Sequence, residues 1–416
     1  MPMPHPVASH CCLCGLMCPL NGVGSACPCR NRWLTEAGKA DAVPAYSSRA
    51  AALSVARVSQ LFRTARQPLV WLDAADVQSV RAAVHLAHRL RGTVHIGQST
   101  GGALPQRVLG RQGWLGTSLA EVATHADLIL TLGDDILSEA PLLPSRFFQP
   151  AIDRQPQAWW HISQRPPTAS REQEPPSPSP SKRLCWPRKE WYQRLTNLLW
   201  HLRDAPQPPP LDAGQEALLG RMRQARYAVW LWDSEEFCDA IDELLIRRLQ
   251  DMAQVLSGNA RCSLLSLDAN VGRVTAEETL RWLTGLSTTA TFDGRQWTAR
   301  EHWEHYQLDD WPSEFDAILF VRTVPTLRPV PHLQADHWLL PEDGFLAADV
   351  DPQTVLRVAA TGQSCSGQLM RGDRGAMLLC HAENQGISAE SFLFAVSGNL
   401  AGQPPRAAAQ SVVEKS

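Results

Sequence analysis

The stretch "PLVWLDAADVQSVRAAVHLAHRLRGTVHIGQ" (68–98) decides the fold. Residues 68–74 are a short apolar run opened by Pro68, the pattern of a strand buried on both faces. Through 75–92 the apolar residues recur at helical spacing, and Gly92 follows the last of them as a helix terminator does. "TVHIGQ" (93–98) then reads as a second strand. A strand, a helix and a strand in immediate succession join parallel neighbours through a crossover, because a tight turn links only antiparallel ones. The class is α/β.

The alternation continues on the C-terminal side. "SLAEVATHA" (118–126) predicts a helix, and "DLILTLGDD" (127–135) an apolar strand that breaks at Gly133 into two acids. Ligands of doubly wound sheets gather beyond the carboxyl ends of strands, so Gly133–Asp135 reads equally as a site or as a plain strand-ending turn. "ARYAVWLWD" (225–233), "SEEFCDAIDELLIRRLQDMAQVLS" (234–257) and "RCSLLSLD" (261–268) repeat the first unit, with Ser234 as the expected helix cap and Glu235 and Glu236 in the first turn. "TAEETLRWLTG" (275–285) predicts a helix capped by Thr275, and 315–324, 335–343 and 375–383 predict further strands.

Prolines set the punctuation. "RPPTASREQEPPSPSPSKR" (165–183) carries too many for a helix or a central strand and reads as a linker or surface insertion. An amphipathic helix follows in 186–204, with Trp191, Leu195, Leu198, Leu199 and Leu202 on one face, and "PQPPP" (206–210) closes it. The expected organisation is a Cys-rich head (1–45), a first α/β module (46–164), the Pro/Ser-rich insertion (165–183), and a connecting helix with its Pro-rich loop (184–220). A second α/β module (221–400) and a disordered tail (401–416) complete it.

Net charge is −3 over 416 residues, so the basic footprint of a nucleic-acid binder is missing. No run approaches the roughly 18 apolar residues of a membrane span, and "MPMPHPVASH" (1–10) has neither a basic n-region nor an apolar h-region. The expectation is a cytoplasmic protein with no nucleic-acid and no membrane partner.

In a reducing compartment, crowded cysteines favour metal ligation over disulfides. "SHCCLCGLMCPLNGVGSACPCR" (9–30) holds Cys11, Cys12, Cys14, Cys18, Cys27 and Cys29, six of the chain's 11. Cys11, Cys14 and Cys18 have the spacing C-x2-C-x3-C, which lets thiolates turn inward around one cluster, and Gly15 eases the reversal. A four-iron cluster needs a fourth ligand, from Cys27 or Cys29; a zinc site built on the arms Cys11–Cys14 and Cys27–Cys29 is the alternative, and a set of reduced thiols the bland one. The candidate ligand set is Cys11, Cys14, Cys18 and Cys27, with Cys12 and Cys29 in reserve.

Other constellations carry less. In "HIGQSTGGALPQ" (95–106), Ser99, Thr100, Gly101 and Gly102 allow close approach to a ligand, but G-x-G-x-x-G and a P-loop lysine are both missing. His302 and His305 in "HWEH" lack the H-E-x-x-H frame and read as surface or interface residues, and His125 as a helix end. The 15 tryptophans read as core and interface fillers. With no Ser/His/Asp order and no nucleophile elbow, catalysis by the chain's own side chains is not expected.

Taken together, the C-x2-C-x3-C head, "GRQGWLGTSLAEVATHADLILTLGDDI" (110–136), "ARYAVWLWD" (225–233) and "LDANVGRVTAEETLRWLTG" (267–285) resemble the B subunit of formylmethanofuran dehydrogenase. The resemblance is nearest to that subunit's counterpart in formyltransferase/hydrolase complexes. It implies the molybdopterin oxidoreductase fold: two parallel-sheet, Rossmann-like modules, a 4Fe-4S cluster in the head, and a Cys-His pair presenting sulfur to tungsten or molybdenum between two pterin dinucleotides. Here the corresponding turn is Ser99-Thr100-Gly101-Gly102, and glycine offers a group-six metal no ligand. The resemblance therefore implies a degenerate, non-catalytic B subunit without molybdopterin, whose partners are the other subunits of a formyltransferase/hydrolase complex. That complex would act in tetrahydromethanopterin-dependent one-carbon metabolism, passing a formyl group to a methanofuran-type carrier and releasing formate. The alternative is an active molybdenum- or tungsten-pterin subunit with an iron–sulfur cluster.

Overall fold

The computed structural model describes residues 10–20, 27–37, 48–97, 108–109, 111–148, 157–165, 179–237, 240–299, 314–326, 335–341, 351–383 and 385–401. Most of the expected insertion, the tail beyond 401, the Ser99–Gly102 turn and the "HWEH" histidines lie outside the described residues.

The strands in chain order are β1 (Pro68–Ala74), β2 (Thr93–Ile96), β3 (Leu128–Leu132), β4 (Ala158–Ser163), β5 (Lys182–Cys185), β6 (Tyr227–Asp233) and β7 (Arg261–Leu267). They are followed by β8 (Thr289–Phe292), β9 (Trp297–Thr298), β10 (Ala317–Arg322), β11 (His337–Pro341), β12 (Val355–Val358), β13 (Gly367–Met370) and β14 (Met377–Cys380). One sheet runs β12-β11-β10-β1-β2-β8-β9, parallel except where β8 and β9 join antiparallel at the edge. The other, β5-β4-β3-β6-β7, is wholly parallel. β13 and β14 form a separate antiparallel hairpin.

Two nucleotide-binding-type sheets are thus present, but they are interleaved along the chain. β3 and β4, expected in the first module, share a sheet with β6 and β7 of the second, β3 pairing with β6, while β10 to β12 return to the sheet of β1. The boundaries drawn at 164 and 221 do not divide the sheets. Strand–helix–strand order fixes parallel pairing only between neighbours and leaves open where the chain crosses over. The second crossing is the helix Val271–Thr284, which follows β7 of one sheet yet packs on β1 of the other, its Gly272 carbonyl accepting from Ala75 N at 3.2 Å.

Both sheets are buried on both faces, which is why their strands read as continuous apolar runs. In β1, Val70 and Leu72 enter one core while Leu69 and Trp71 enter the opposite one. In β3, Leu128, Leu130 and Leu132 face one core and Ile129 the other. Trp191, Trp230 and Trp232 are buried as fillers, whereas Trp282 is 57% exposed. The face Trp191, Leu195, Leu198 and Leu199 is buried as its spacing indicates.

Two caps differ from expectation. Asp233 rather than Ser234 caps a short 3-10 turn, and the long helix runs Ala240–Leu256. The helix expected from Thr275 starts at Val271 under an Asn270 cap; the Thr275 hydroxyl donates back to Val271 O at 2.6 Å. An asparagine side chain accepting from Arg273 N satisfies the open helix end one turn earlier.

The Cys-rich head, the two sheets and the hairpin meet at one point. Asp268 N, just past β7, donates to Gly372 O at 3.1 Å, and Gly372 N donates to Gly15 O at 2.9 Å. A Cβ at Gly372 would lie 2.7 Å from Gly15 Cα, so the three backbones touch only because side chains are missing. Around them Arg273 pairs with Asp268 and Glu235, Arg374 pairs with Glu277, and the Asp373 carboxylate accepts from Leu119 N, reaching both sheets from the hairpin turn.

Replacing Gly372 with Ala is expected to cost about 1–3 kcal/mol in urea unfolding, whereas Gly220→Ala, inside a helix with nothing within 4 Å of its Cβ, is expected to add about 0.5–1 kcal/mol. Equal effects would show that the junction has room.

Acid should also unfold the protein early. Burial holds His95 down to about 3 and His161 and His337 down to about 4, with Arg183 assisting at His161 and Arg57 at His337. Each remains neutral in the fold and takes up a proton on unfolding below about pH 6.5, so stability falls with pH by up to about 1.4 kcal/mol per unit per histidine until the folded values are passed. A chemical-denaturation series from pH 7 to 4, with His161→Gln showing a shallower decline, checks the sign.

Candidate functional site

In both sheet orders the neighbours of the first strand lead off in opposite directions, which leaves a crevice at the carboxyl ends where doubly wound folds take ligands. In the five-stranded sheet that point lies between β3 and β6. Gly133, at φ 97°, ends β3, and Glu236 comes from the turn after β6. A Cβ at Gly133 would be 2.6 Å from Glu236 Cγ; glycine is needed for the conformation and for the space. Glu236 is buried, accepts from Asp135 N at 3.2 Å and from the Gln164 amide, and lies beside Arg188, whose Nη2 donates to Glu236 O at 3.0 Å. Burial first, and Asp135 second, push its carboxyl pKa up.

The matching crevice of the larger sheet lies between β1 and β10. Asp73 and Arg322 close it with an ion pair at 2.6 Å. Beside them Asp76 caps the helix Val77–Leu90: one oxygen accepts from Gln78 N and Ser79 N at 3.0 and 3.2 Å. The other accepts from the hydroxyls of Ser79, Thr323 and Thr361 at 2.7, 3.0 and 3.1 Å. Each crevice therefore holds a carboxylate of the chain itself where a nucleotide phosphate would meet backbone N–H groups. A buried carboxylate with five donors does not yield its place cheaply.

The head lies against the five-stranded sheet. Its loop closes through Cys11 N to Cys18 O at 2.9 Å and Met17 N to Cys14 O at 3.3 Å. Cys14, Cys18 and Cys27 sit in the apolar cluster with Leu119, Ile136 and Leu143. Cys27 immediately precedes the helix Pro28–Ala37, and Cys29 lies in its first turn, donating to Glu139 O at 3.6 Å. The Cys29 thiol also reaches the sulfurs of Cys14 and Cys27, holding Cys27 down to about 6 and lowering Cys14. Burial lifts Cys11 to about 11 and Cys18 to about 12. Cys12 points away, its thiol against Thr361 O at 3.6 Å, in the cluster that contains Cys380.

No known family profile matches the chain. A curated relative, the B subunit of the formyltransferase/hydrolase complex Fhc of Methylorubrum extorquens, is 26% identical over 349 residues, 80% of this chain and 88% of the relative. This chain is similar to the Fhc B subunit. A chain of the crystal structure of the Methylorubrum extorquens formyltransferase/hydrolase complex (FhcABCD) with methylofuran superposes at a TM-score of 0.70 and 22% identity, covering 86% of this chain and 98% of that one. That superposition speaks for the fold, two interleaved sheets with a head.

Of the candidate ligands, the fold brings Cys11, Cys14, Cys18 and Cys27 into one neighbourhood, together with Cys29. As placed, no group of three or more His, Cys, Asp or Glu side chains among the described residues is set to hold a metal ion. In this Fhc-like fold the residues that close the crevices, Asp76 and Glu236, are not legible as such from the sequence. Asp76 carries an N-cap signal before "VQSV", but Glu236 reads only as an acid in a helix start.

If Glu236 fills the crevice as described, Gly133→Ala should lose about 1–3 kcal/mol, and Glu236→Ala in the same chain should recover part of it. Thermal melts of the two single variants and the double variant decide; strictly additive losses would mean the two residues do not meet.

Proposed function

We propose that this chain is the B-type subunit of a formyltransferase/hydrolase assembly, where it supports the neighbouring subunits and carries out no oxidation itself. The observation that carries the reading is the match to the Fhc B subunit over most of both chains. The assembly would pass a formyl group from formyl-tetrahydromethanopterin to a methanofuran-type carrier and hydrolyse it to formate, a route that releases no electrons.

Two features support a subunit without molybdopterin. The turn aligned with the metal-binding pair, Ser99 to Gly102, contains no sulfur or imidazole, and both crevices that would take pterin dinucleotide phosphates are occupied by Asp76 and Glu236. The head is the remaining candidate centre. Its donors are all sulfur, the chemistry of iron–sulfur clusters and structural zinc. Cys11, Cys14, Cys18 and Cys27 would hold the group.

Co-expression of the assembly with and without this chain, followed by native mass measurement and a formate-release assay, tests the role. Loss of assembly together with activity is expected, and unchanged assembly and activity without the chain would refute it. Elemental analysis of anaerobically purified material is expected to give no molybdenum or tungsten; stoichiometric amounts of either would establish the redox-active alternative.

A further inference from the structure

One face of the molecule carries a charge imbalance that the fold does not use. The helices Ser48–Thr64, Ala389–Asn399 and Val77–Leu90 lie side by side on one face of the seven-stranded sheet, with Ala389–Asn399 in the middle. Their inner sides fill the core over β1 and β10, and their outer sides are exposed. Outward they present Arg49, Arg57, Arg63, Arg81 and Arg89, together with His85 and His88, and they contain no lysine. Their one carboxylate is Glu390, half-buried in the first turn of the middle helix. The whole chain has net charge −3, so this concentration of cations is local.

Elsewhere, arginines as exposed as Arg111, Arg223 and Arg261 meet carboxylates, those of Glu243, Asp204 and Glu121. Here Arg57 donates to Gln353 O at 3.1 Å and Arg81 to Gln78 Oε1 at 3.0 Å. Arg49, Arg57, Arg81 and Arg89 form no ion pair among the described residues. Between the cations lie Leu53, 64% exposed, and Phe394, 44% exposed, set among the small exposed residues Ala52, Ala56 and Ala395. The Phe394 ring stands 5.5 Å from that of His85, so apolar and cationic positions adjoin across the helix boundary. Guanidinium groups interspersed with an aromatic ring and small apolar side chains match a protein interface, where arginine is enriched and lysine depleted. A bilayer surface would call for a fuller row of long apolar side chains than Leu53 and Phe394 supply.

We propose that the face built by these three helices docks the acidic surface of another protein, which in a formyltransferase/hydrolase assembly is a neighbouring subunit; that last identification rests on the role proposed above. Carboxylates of the partner pair with Arg49, Arg81 and Arg89, and a shallow apolar seat covers Leu53 and Phe394. Helices of 17, 14 and 11 residues, packed about 9 Å apart, present a face of about 25 Å by 25 Å, comparable with the roughly 800 Å² that each partner gives to a standard interface. A second copy of the chain is the wrong occupant, because a two-fold contact would set arginine against arginine.

The full chain, co-expressed with the other subunits, is compared with a variant combining Arg49→Glu, Arg81→Glu and Arg89→Glu, and with Arg223→Glu on the other sheet as a control. The triple variant is expected to be recovered with the other subunits about tenfold less than wild type at about 0.15 M salt, while the control is recovered as wild type. Hydroxyl-radical footprinting of the wild-type chain, free and assembled, is expected to show Leu53 and Phe394 protected in the assembly, a readout that stands even if the triple variant does not fold. Full recovery of the triple variant, or equal oxidation of Phe394 in both states, would overturn the proposal and leave the subunit role intact. Charge-dependent binding to phosphatidylserine vesicles with assembly unchanged would give the face to a membrane and likewise overturn it. A wild-type chain that joins no assembly would remove the subunit role and this docking with it.

Discussion

Three backbones touching at Gly15, Asp268 and Gly372 are what let one chain be two sheets and a head. Two peptide hydrogen bonds at Gly372 join segments far apart in sequence, and the approach at each requires that no Cβ intervene. The charges around that point are largely buried and paired with one another. Arg273 is 2% exposed, and its carboxylate partners come from the end of β7, the turn after β6 and its own helix. Removing one member would strand the others in a place water does not reach, which makes the arrangement more specific than it is strong. The hairpin β13–β14, which belongs to neither sheet, exists to deliver that turn.

The same principle governs the crevices. A strand–helix turn in a doubly wound sheet offers unsatisfied N–H groups, and something negative must meet them. In a nucleotide-binding protein that is phosphate; here it is Asp76 in one sheet and Glu236 in the other. The two solutions differ locally. Asp76 is an N-cap of its own helix, whereas Glu236 arrives from the neighbouring strand's turn and needs Gly133 beneath it. Closure is reached by unrelated residues in the two sheets, so it does not depend on one shared motif.

Much of this is legible in the residues and some cannot be. Continuous apolar runs such as 128–132 and 227–233 mark parallel strands because burial on both faces removes the alternation that other strands show. Pairing between distant strands leaves no such mark: nothing in 128–132 says that it meets 227–233 before it could meet 93–96. Short strands such as Lys182–Cys185, next to the proline-rich stretch, lack enough residues to carry a period. The head's spacing marks Cys11, Cys14, Cys18 and Cys27 as candidate ligands, while the place of Cys29 depends on how a helix start packs against the loop. The helix at 271 begins four residues before its periodic signal because Asn270 caps it with a side chain that sequence periodicity does not register.

The head also poses a contradiction, that a chain whose reading calls for no electron transfer should contain a cluster-like set of thiols. Buried cysteine is a small, polarisable apolar residue, and Cys14, Cys18 and Cys27 fill the core under the five-stranded sheet beside Leu119, Ile136 and Leu143. Packing alone accounts for their burial. It does not account for the lowering at Cys14 and Cys27, which comes first from the Cys29 thiol aimed at both and runs against their desolvation.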